Sequence, residues 1–282
     1  MNSKVQKYED DISILDRVNY YNQLDHSVTL NQSARKLTEL SIKDGRTYYF
    51  DLYEYARYFD QSLRGNFLFG DITNIPPDPS FVKSRPINKY NQNSILLKWN
   101  KVRHYIFVKN DPTPFSNKRN ELVWRGNVFD CQSQRIRFLE KYFEEPMCNI
   151  GKVNPTEGNS EWIVDKMTID QQLAYKYILC IEGNDVASNL KWVMSSRSLA
   201  VMPKPKFETW FMEGRLVPNY HYIEIKDDYS NLLEKMEYFN AHPDEAKAIV
   251  KNANKFVDHF KDEKVEGVIS LMVMKKYFDK TE

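Results

Sequence analysis

Apolar and polar positions follow two periodicities along the C-terminal half of the chain. Short apolar runs bounded by Gly, Asn or charged residues are typical of buried strands, and longer stretches with apolar positions three or four residues apart are typical of amphipathic helices. The two kinds of segment alternate, which predicts an α/β domain with a mostly parallel sheet. The predicted strands cover residues 121–125, 177–181, 198–202 and 220–225, and the predicted helices cover residues 133–143, 186–195, 229–240, 243–260 and 262–281.

Two local patterns indicate where helices begin. Thr168 is followed three residues later by Gln171, a capping-box pattern that predicts a helix through about residue 176. Pro243 suits a first helical turn, because the N–H group that proline lacks would have no helical partner there.

The N-terminal part of the chain is less regular. Residues 1–60 are predicted to be largely helical, most clearly over residues 32–41 and 51–59, and Asp51 is expected to cap the second of these helices. Short apolar runs predict two strands, at residues 66–70 and 94–99.

Proline-rich polar stretches separate these segments. Three prolines at positions 76, 77 and 79 forbid a helix in the loop from residue 71 to residue 87. A second stretch of this kind, residues 110–120, marks the predicted domain boundary. We therefore expect an N-terminal domain over residues 1–115, a C-terminal domain over residues 116–260, and a helix within residues 261–282 that packs back on the first domain.

Composition narrows the class of protein. Of the 282 residues, 41% are hydrophobic and 14% aromatic, enough apolar surface to bury a core. Forty Lys and Arg balance 39 Asp and Glu, a net charge of +1 that disfavours a nucleic-acid-binding protein. Three cysteines without metal spacing disfavour a disulfide framework or a zinc site and fit a reducing compartment. Without an apolar leader or an 18-residue apolar run, we expect a cytoplasmic protein whose membrane contact, if it has one, would be peripheral.

Ligands of parallel α/β sheets bind beyond the carboxyl ends of the strands. The first loop to consider is EGNDVASN, where Gly183 allows a tight turn and a following helix would offer free N–H groups to an anion. Its candidate ligand-binding residues are Glu182, Gly183, Asn184, Asp185, Ala187, Ser188 and Asn189. The alternative is a plain strand–turn–helix connection with Asp185 as its N-cap.

Two further loops carry cations at strand ends. In WRGN, Arg125 can pair with a phosphate in a bidentate manner, Gly126 and Asn127 follow it, and Arg135 could add a second guanidinium. The alternative is a surface arginine in an ion pair.

The third loop is the start of MPKPKFETWF. Lys204 and Lys206 can face a phosphate, and Glu208 could accept hydrogen bonds from sugar or ribose hydroxyls. Trp210 and Phe211 are expected to pack in the interior. The alternative is a solvated lysine pair on a stiff loop.

A carboxylate follows the strand predicted in the first domain. Asp71 comes directly after a glycine at that strand's end, where it could act as general base for a hydroxyl nucleophile, and Thr73, Lys83 and Arg85 are its polar neighbours. The alternative is a loop aspartate bonded to its own backbone. His221 lies in an apolar pattern and is interpreted as structural.

Several motifs are absent from the sequence: GxSxG, the P-loop, HExxH, GxGxxG, and a DxD next to a strand. A metal-bound nucleotide diphosphate is therefore not indicated, and a leaving diphosphate would need cations and a helix dipole instead.

Taken together, these motifs resemble glycosyltransferase family 90. The resemblance rests on FGDIT and KSRPI, then WRGN, then YKYILCIEGNDVASNLKW, then MPKPKFETWF with PNYHYIEI, and it runs from about residue 48 to residue 260. The bacterial branch of this family contains lipopolysaccharide core glycosyltransferases of the Lps-A type, and its eukaryotic branch contains protein O-glucosyltransferases and capsule-associated proteins.

The resemblance implies a GT-B architecture, two Rossmann-like domains facing a central cleft, with the acceptor on the N-terminal side. It implies a UDP-hexose held mainly by the C-terminal domain, with no metal and no cofactor beyond this donor substrate. By motif position, Asp71 matches the family's base and Arg125 its donor-phosphate arginine. A second donor arginine of the animal enzymes falls on Asn189, a contact that Lys204 or Lys206 could replace, and Lys83 and Arg85 would face an anionic acceptor.

The resulting hypothesis is an inverting, metal-independent transfer of glucose or galactose from a UDP-sugar to a glycan or lipid-linked oligosaccharide, such as lipooligosaccharide core. The acceptor that the bacterial branch implies would place a peripheral membrane contact at the inner membrane. Two other classes stay open: a non-catalytic nucleotide- or glycan-binding module on the same fold, and an α/β enzyme of other chemistry. The sequence leaves the hexose, the acceptor hydroxyl and the oligomeric state open.

Overall fold

The computed structural model describes residues 6–8 and 10–281. The predictions for residues 1–60, 1–115 and 261–282 thus include positions (1–5, 9 and 282) that lie outside the described residues. The chain divides into two compact units. The first unit contains residues 1–103, 206–214 and 260–282, and the second contains residues 104–205 and 215–259.

The elements are numbered in chain order. The α-helices of the described residues are α1 (Ile12–Tyr21), α2 (Arg46–Ala56), α3 (Lys101–His104), α4 (Ser133–Tyr142), α5 (Ile169–Gln172), α6 (Leu190–Met194), α7 (Leu232–Ala241), α8 (Pro243–Asp258) and α9 (Glu263–Lys280). The strands are β1 (Arg35–Lys36), β2 (Arg64–Leu68), β3 (Ser80–Val82), β4 (Ser84–Pro86), β5 (Ser94–Leu96), β6 (Arg119–Gly126), β7 (Cys148–Lys152), β8 (Tyr175–Leu179), β9 (Leu199–Met202), β10 (Phe207–Thr209) and β11 (Ile223–Glu224). Within the described ranges, no helix is long and apolar enough to cross a membrane.

The second unit is built on a five-stranded sheet in the order β11-β9-β8-β6-β7. All of its neighbouring strands are parallel, and Tyr177 of β8, for example, pairs with Leu199 of β9. Every residue of β8 and β9 is buried, as expected for strands covered on both faces. The predicted α/β unit with a mostly parallel sheet is therefore confirmed.

The first unit contains a four-stranded sheet in the order β1-β2-β3-β5 and a ribbon of β10 and β4. The strands β2, β3 and β5 run parallel, while β1 and β10 pair with their partners in antiparallel fashion. Trp210 and Phe211 are fully buried, as predicted, and the Trp210 ring stacks on Tyr21 with centroids 3.9 Å apart. The Trp210 indole Nε1 also donates to Glu266 of α9 at 2.7 Å.

Two of the three predicted helix starts are confirmed, and one is wrong. The capping box is present, with Thr168 Oγ1 accepting from the N–H of Gln171, although α5 is a single turn. Pro243 is confirmed in the first turn of α8. The predicted cap at Asp51 is wrong: this residue lies within α2, and its Oδ2 accepts from the N–H of Lys101 at 3.1 Å.

The helix predicted over residues 32–41 is wrong. The segment instead forms β1 and a short 3-10 turn at Leu37–Glu39. Polar side chains bond the local backbone there: Asn31 Oδ1 accepts from the N–H of Ser33, and Glu39 Oε2 accepts from the N–H of Lys36. Such local bonds compete with helical ones.

Two predictions in the second unit need correction because turns replace regular structure. The helix predicted over residues 186–195 begins only at Leu190, so residues 182–189 form a loop. The strand predicted over residues 220–225 is reduced to β11, because a turn holds the preceding residues. In that turn His221 Nδ1 accepts from the N–H of Val217 at 2.9 Å, and burial lowers the pKa of this histidine, which fits its predicted structural role.

Candidate active site

The loops of interest in the second unit follow neighbouring strands. The strands β9, β8 and β6 are adjacent and parallel, so the loops after Met202, Leu179 and Gly126 leave the same edge of the sheet. Helix α4 begins at Ser133, a few residues after β6 ends. The first turn of α4 can therefore contact the loop after β8.

Arg135 joins two of these loops through their backbones. Its guanidinium donates to the carbonyl oxygens of Asn127 at 2.6 Å, Glu182 at 3.1 Å and Ile181 at 3.3 Å. It also lies over the ring of Trp124, 5.4 Å from the centroid. Arg135 therefore fixes the shape of the loops from inside, a different use of its charge from the predicted phosphate contact.

Two glutamines that the sequence reading missed complete this junction. Gln134 Nε2 donates to the carbonyl of Gly183 at 2.6 Å, and Gln132 Nε2 donates to Asn184 Oδ1 at 2.9 Å. A Cβ atom on Gly183 would lie 2.8 Å from Arg135 Nη2, so any other residue at this position would require the guanidinium to shift. The available signal was a group of polar side chains at and just before the start of the helix predicted over residues 133–143, in the connection that follows a predicted strand.

The second half of the loop presents backbone donors. Within the described residues, the N–H groups of Val186, Ala187 and Ser188 donate to no acceptor. Val186 and Ala187 are nevertheless buried, as is Asp185. Buried N–H groups are normally paired, so this run of amides is suited to an anion.

Asn189, which matches the position of the animal enzymes' second arginine, forms a hydrogen bond within the fold. Its Nδ2 donates to the carbonyl of Leu179, the last residue of β8, at 2.8 Å. It is also the N-cap residue of α6, without a capping bond from its side chain.

Arg125 is half-buried and makes several bonds within the second unit. It donates to the carbonyl oxygens of Asp165 at 2.9 Å and Asn149 at 2.8 Å, and to Asn149 Oδ1 at 2.7 Å. Burial lowers its pKa, and the phenol of Tyr175 opposes that shift. Arg125 can therefore take hold of a phosphate only by sharing or giving up some of these bonds.

The remaining residues predicted at these strand ends differ in exposure. Gly126 ends β6 and is half-buried, Asn127 is exposed, and Lys204 is exposed after β9. Lys206 is also exposed, but it belongs to the first unit, while Lys204 belongs to the second.

In the first unit, Asp71 follows β2 after a short connection. Gly70 has a φ of +112°, a backbone conformation that favours glycine, and it turns the chain directly before the aspartate. Asp71 Oδ1 accepts a hydrogen bond from the ammonium group of Lys83. The Asp71 side chain is 26% exposed and the Lys83 side chain 2%, so the carboxylate reaches solvent while the ammonium does not. Thr73, in the loop that follows, is exposed.

Arg85 and Glu208 are paired with each other inside the first unit. Arg85 lies on β4, Glu208 lies opposite on β10, and Arg85 Nε donates to Glu208 Oε1 at 2.8 Å. Arg85 also donates to the carbonyls of Tyr20 and Ser94, and the hydroxyl of Tyr20 donates to Glu208 Oε2. Burial, reinforced by Glu208, raises the pKa of Tyr20. Arg85 is 0% and Glu208 2% exposed, so neither presents surface to a ligand.

The structure thus brings together part of the predicted set in each unit. In the second unit, Arg135, Asn127 and the start of the 182–189 loop meet at one sheet edge, whereas Arg125 is directed to Asn149 and Asp165. In the first unit, Asp71 and Lys83 meet, and Arg85 meets Glu208. Among the described residues, no group of three or more His, Cys, Asp or Glu side chains is arranged to hold a metal ion.

Comparison with known proteins gives concordant matches. The model of glycosyl transferase family 90 matches residues 75–278. O-glucosyltransferase LpsA of Dichelobacter nodosus is 43% identical over 266 residues, 94% of this chain and 83% of that protein. Protein O-glucosyltransferase 2 of Danio rerio is 24% identical over 148 residues, 50% of this chain and 29% of that protein. Protein O-glucosyltransferase 3 of Rattus norvegicus is 35% identical over 78 residues, 27% of this chain and 15% of that protein.

The α/β fold and these matches define the chain as a glycosyltransferase. More particularly, it belongs to glycosyltransferase family 90 and is similar to the LpsA type, which confirms the resemblance read from the motifs. Asp71 lies just before the segment matched by the family model.

Proposed function

We propose that this protein transfers a hexose from a UDP-sugar to a hydroxyl of a surface glycan, with inversion at the anomeric carbon and without a metal ion. The names of the relatives favour glucose over galactose. A lipopolysaccharide or lipooligosaccharide core is the acceptor we propose, and the two Rossmann-like domains of a GT-B enzyme are part of the proposal.

The observation that carries this proposal is the position of Asp71. Its carboxylate follows a strand end, is partly exposed, and is held by a lysine whose charge favours the ionised form. An ionised carboxylate at such a place suits the proton acceptor of a hydroxyl nucleophile.

The reaction is a single displacement. Asp71 takes the proton of the acceptor hydroxyl, and the hydroxyl oxygen forms a bond to the anomeric carbon. The bond from that carbon to the UDP oxygen breaks on the opposite face, and its electron pair leaves with UDP. The sugar configuration is therefore inverted.

For the departing diphosphate we propose the loop after β8. The N–H groups of residues 186–188 are available donors, and Lys204 adds a positive charge after the neighbouring strand β9. Arg135 holds the same loop in place. Arg125 contributes to donor binding in this proposal by exchanging one of its carbonyl bonds for a phosphate oxygen.

A membrane-linked acceptor fits a surface of the first unit. Helix α2, the turn before it and its C-terminal cap expose a stripe of basic and aromatic side chains: Lys43, Arg46, Phe50, Tyr53 and Arg57. Aromatic and basic residues together favour the interface of an anionic bilayer. We propose that this stripe makes the peripheral contact.

The test is an activity assay on the purified chain. UDP-glucose, UDP-galactose, UDP-N-acetylglucosamine and GDP-mannose are each offered with a truncated lipooligosaccharide core, with and without EDTA. A β-linked product from UDP-glucose that forms in EDTA supports the proposal, and Asp71→Asn should then lose about a hundredfold or more in turnover. An α-linked product would contradict inversion, and UDP-sugar binding without any turnover would favour the non-catalytic module.

A further inference from the structure

Lys83 occupies an unusual place for a charged residue. It is the single residue between β3 and β4, its side chain is 2% exposed, and its ammonium group donates to Asp71 Oδ1. The Asp71 side chain at the other end of this ion pair is 26% exposed. The pair therefore has an interior end, which carries the positive charge, and a solvent end, which carries the carboxylate.

The next residue holds the same loop by its backbone. Ser84 Oγ accepts from the N–H of Ile72 at 3.2 Å and donates to the carbonyl of Ile72 at 3.2 Å. Two consecutive residues, Lys83 and Ser84, thus hold two consecutive residues, Asp71 and Ile72. Both the backbone and the carboxylate of the loop are fixed against the first unit's interior.

Stability alone does not account for this ion pair. Replacing a whole buried ion pair with apolar side chains of similar volume is often neutral or stabilising, and removing one partner is costly mainly when the other charge is left buried and uncompensated. Asp71 keeps contact with solvent, so its carboxylate would stay hydrated if Lys83 were replaced. What the lysine supplies is a fixed direction and a charge that keeps the carboxylate ionised.

We propose that Lys83 is a positioning residue for the general base. It holds Asp71 from the interior side, so that the ionised carboxylate presents its solvent side to the acceptor hydroxyl. Lys83 keeps its own protons throughout, and the proton of the acceptor moves to Asp71. This inference rests on the proposed function of Asp71, and it gives Lys83 a different task from the acceptor contact predicted from sequence.

The other charged side chains of the neighbouring ribbon have their own partners. Arg85 and Glu208 are engaged with each other and with Tyr20. A change at Lys83 therefore leaves that ion pair in place, and its effect on Asp71 can be followed through the pH dependence of the rate.

The experiment compares Lys83→Met and Lys83→Gln with the unaltered enzyme, using the proposed donor and a core acceptor. We expect kcat to fall by about ten- to a hundredfold, because small displacements of a reacting group have effects of this order. The KM for the UDP-sugar should stay unchanged. The acidic limb of the pH–rate profile should move upward by about one to three pH units, since a neighbouring opposite charge lowers a carboxylate's pKa by that amount. The melting temperature should stay equal or rise.

Lys118→Met serves as the matched control. Lys118 is also a buried lysine, and it donates to Asp111 Oδ2 at 2.8 Å, but both residues are buried in the second unit. Removal of this lysine leaves the buried carboxylate of Asp111 without its cation, so the melting temperature should fall. The acidic limb of the pH–rate profile should stay in place. Loss of folding in both Lys83 variants would contradict the proposal, because the ion pair would then be needed for the fold.

A double variant separates this inference from the function on which it rests. If Lys83 acts through Asp71, adding Lys83→Met to Asp71→Asn should cause no further loss of turnover. An active Asp71→Asn enzyme would overturn the proposed function of Asp71. An inactive Asp71→Asn enzyme together with a Lys83→Met enzyme of normal rate and pH profile would overturn only the positioning role.

Discussion

Replacing Glu208 with glutamine tests whether this residue serves the fold or the ligand. Sequence reasoning expected Glu208 to accept bonds from sugar hydroxyls, but the structure pairs it with Arg85 at 2.8 Å, with side chains 3% and 0% exposed. The change removes the negative charge from a position where two donors, Arg85 Nε and the Tyr20 hydroxyl, meet two carboxylate oxygens. A glutamine offers them one oxygen.

The magnitude follows from burial. Breaking a buried ion pair by removing one partner costs about 3–5 kcal/mol, because the remaining charge stays in the interior uncompensated. That is a large part of the roughly 5–15 kcal/mol by which a domain is stable. Urea unfolding, followed by circular dichroism and tryptophan fluorescence, should show this loss, and any folded Glu208→Gln protein should bind UDP normally.

The control is the exposed pair of Asp244 and Lys247, whose side chains are 94% and 52% exposed. Asp244→Asn should leave the unfolding curve unchanged, since exposed pairs contribute little. Replacing both partners, as Arg85→Met with Glu208→Leu, should recover much of the lost stability. The reasoning would be refuted by a Glu208→Gln protein that unfolds within about 1 kcal/mol of the original, below the cost of a broken buried pair, and has lost UDP affinity.

Three further predictions concern the other parts of the molecule. Arg125→Ala should both weaken UDP binding and lower the melting temperature, since the guanidinium bonds the backbone of two neighbouring segments; a thermal-shift titration with UDP would contradict this if only one of the two effects appeared. Gly183→Ala should displace Arg135, because the new Cβ would lie 2.8 Å from its Nη2. Turnover should therefore fall although Asp71 itself is unchanged, and a Gly183→Ala enzyme with unchanged donor KM and kcat would argue against the loop's role. Phe50→Ser with Tyr53→Ser should reduce sedimentation with vesicles containing anionic lipid and leave transfer to a soluble acceptor unchanged; equal sedimentation would remove the α2 stripe from membrane contact.

The elements most readily predicted from sequence are those whose pattern is local. The strands β8 and β9 are buried on both faces, so they read as apolar runs. The strand β7 has the sequence CNIGK, which is not an apolar run, because its buried or half-buried polar side chains are satisfied by hydrogen bonds within the fold. Lys152 of β7 is 0% exposed and donates to the carbonyl of Glu157, and Asn149 Nδ2 donates to Tyr175 at 2.6 Å.

In the candidate site too, local patterns could be predicted from sequence and contacts between distant segments could not. A carboxylate directly after a strand end is a local pattern, so Asp71 could be selected from sequence. The partnership of Arg85 with Glu208 joins positions 123 residues apart, and no spacing or composition encodes it. The amides of residues 186–188 were expected at a helix start and lie instead in a loop, because side chains of α4 bond that loop's carbonyl groups.

The first unit is built from three separate segments of the chain, and this affects how it can fold during synthesis on the ribosome. Residues 1–103 emerge with β4 and Arg85 but without β10, which reaches the ribosome exit only after most of the second unit. Until then the arginine has no carboxylate partner on a neighbouring strand, and Trp210 has not yet stacked on Tyr21. The last segment, α9, adds Glu266 to the same interior. The interior of the first unit is therefore completed only after β10 and α9 have been synthesised, while the parallel sheet from β6 to β9 can assemble earlier.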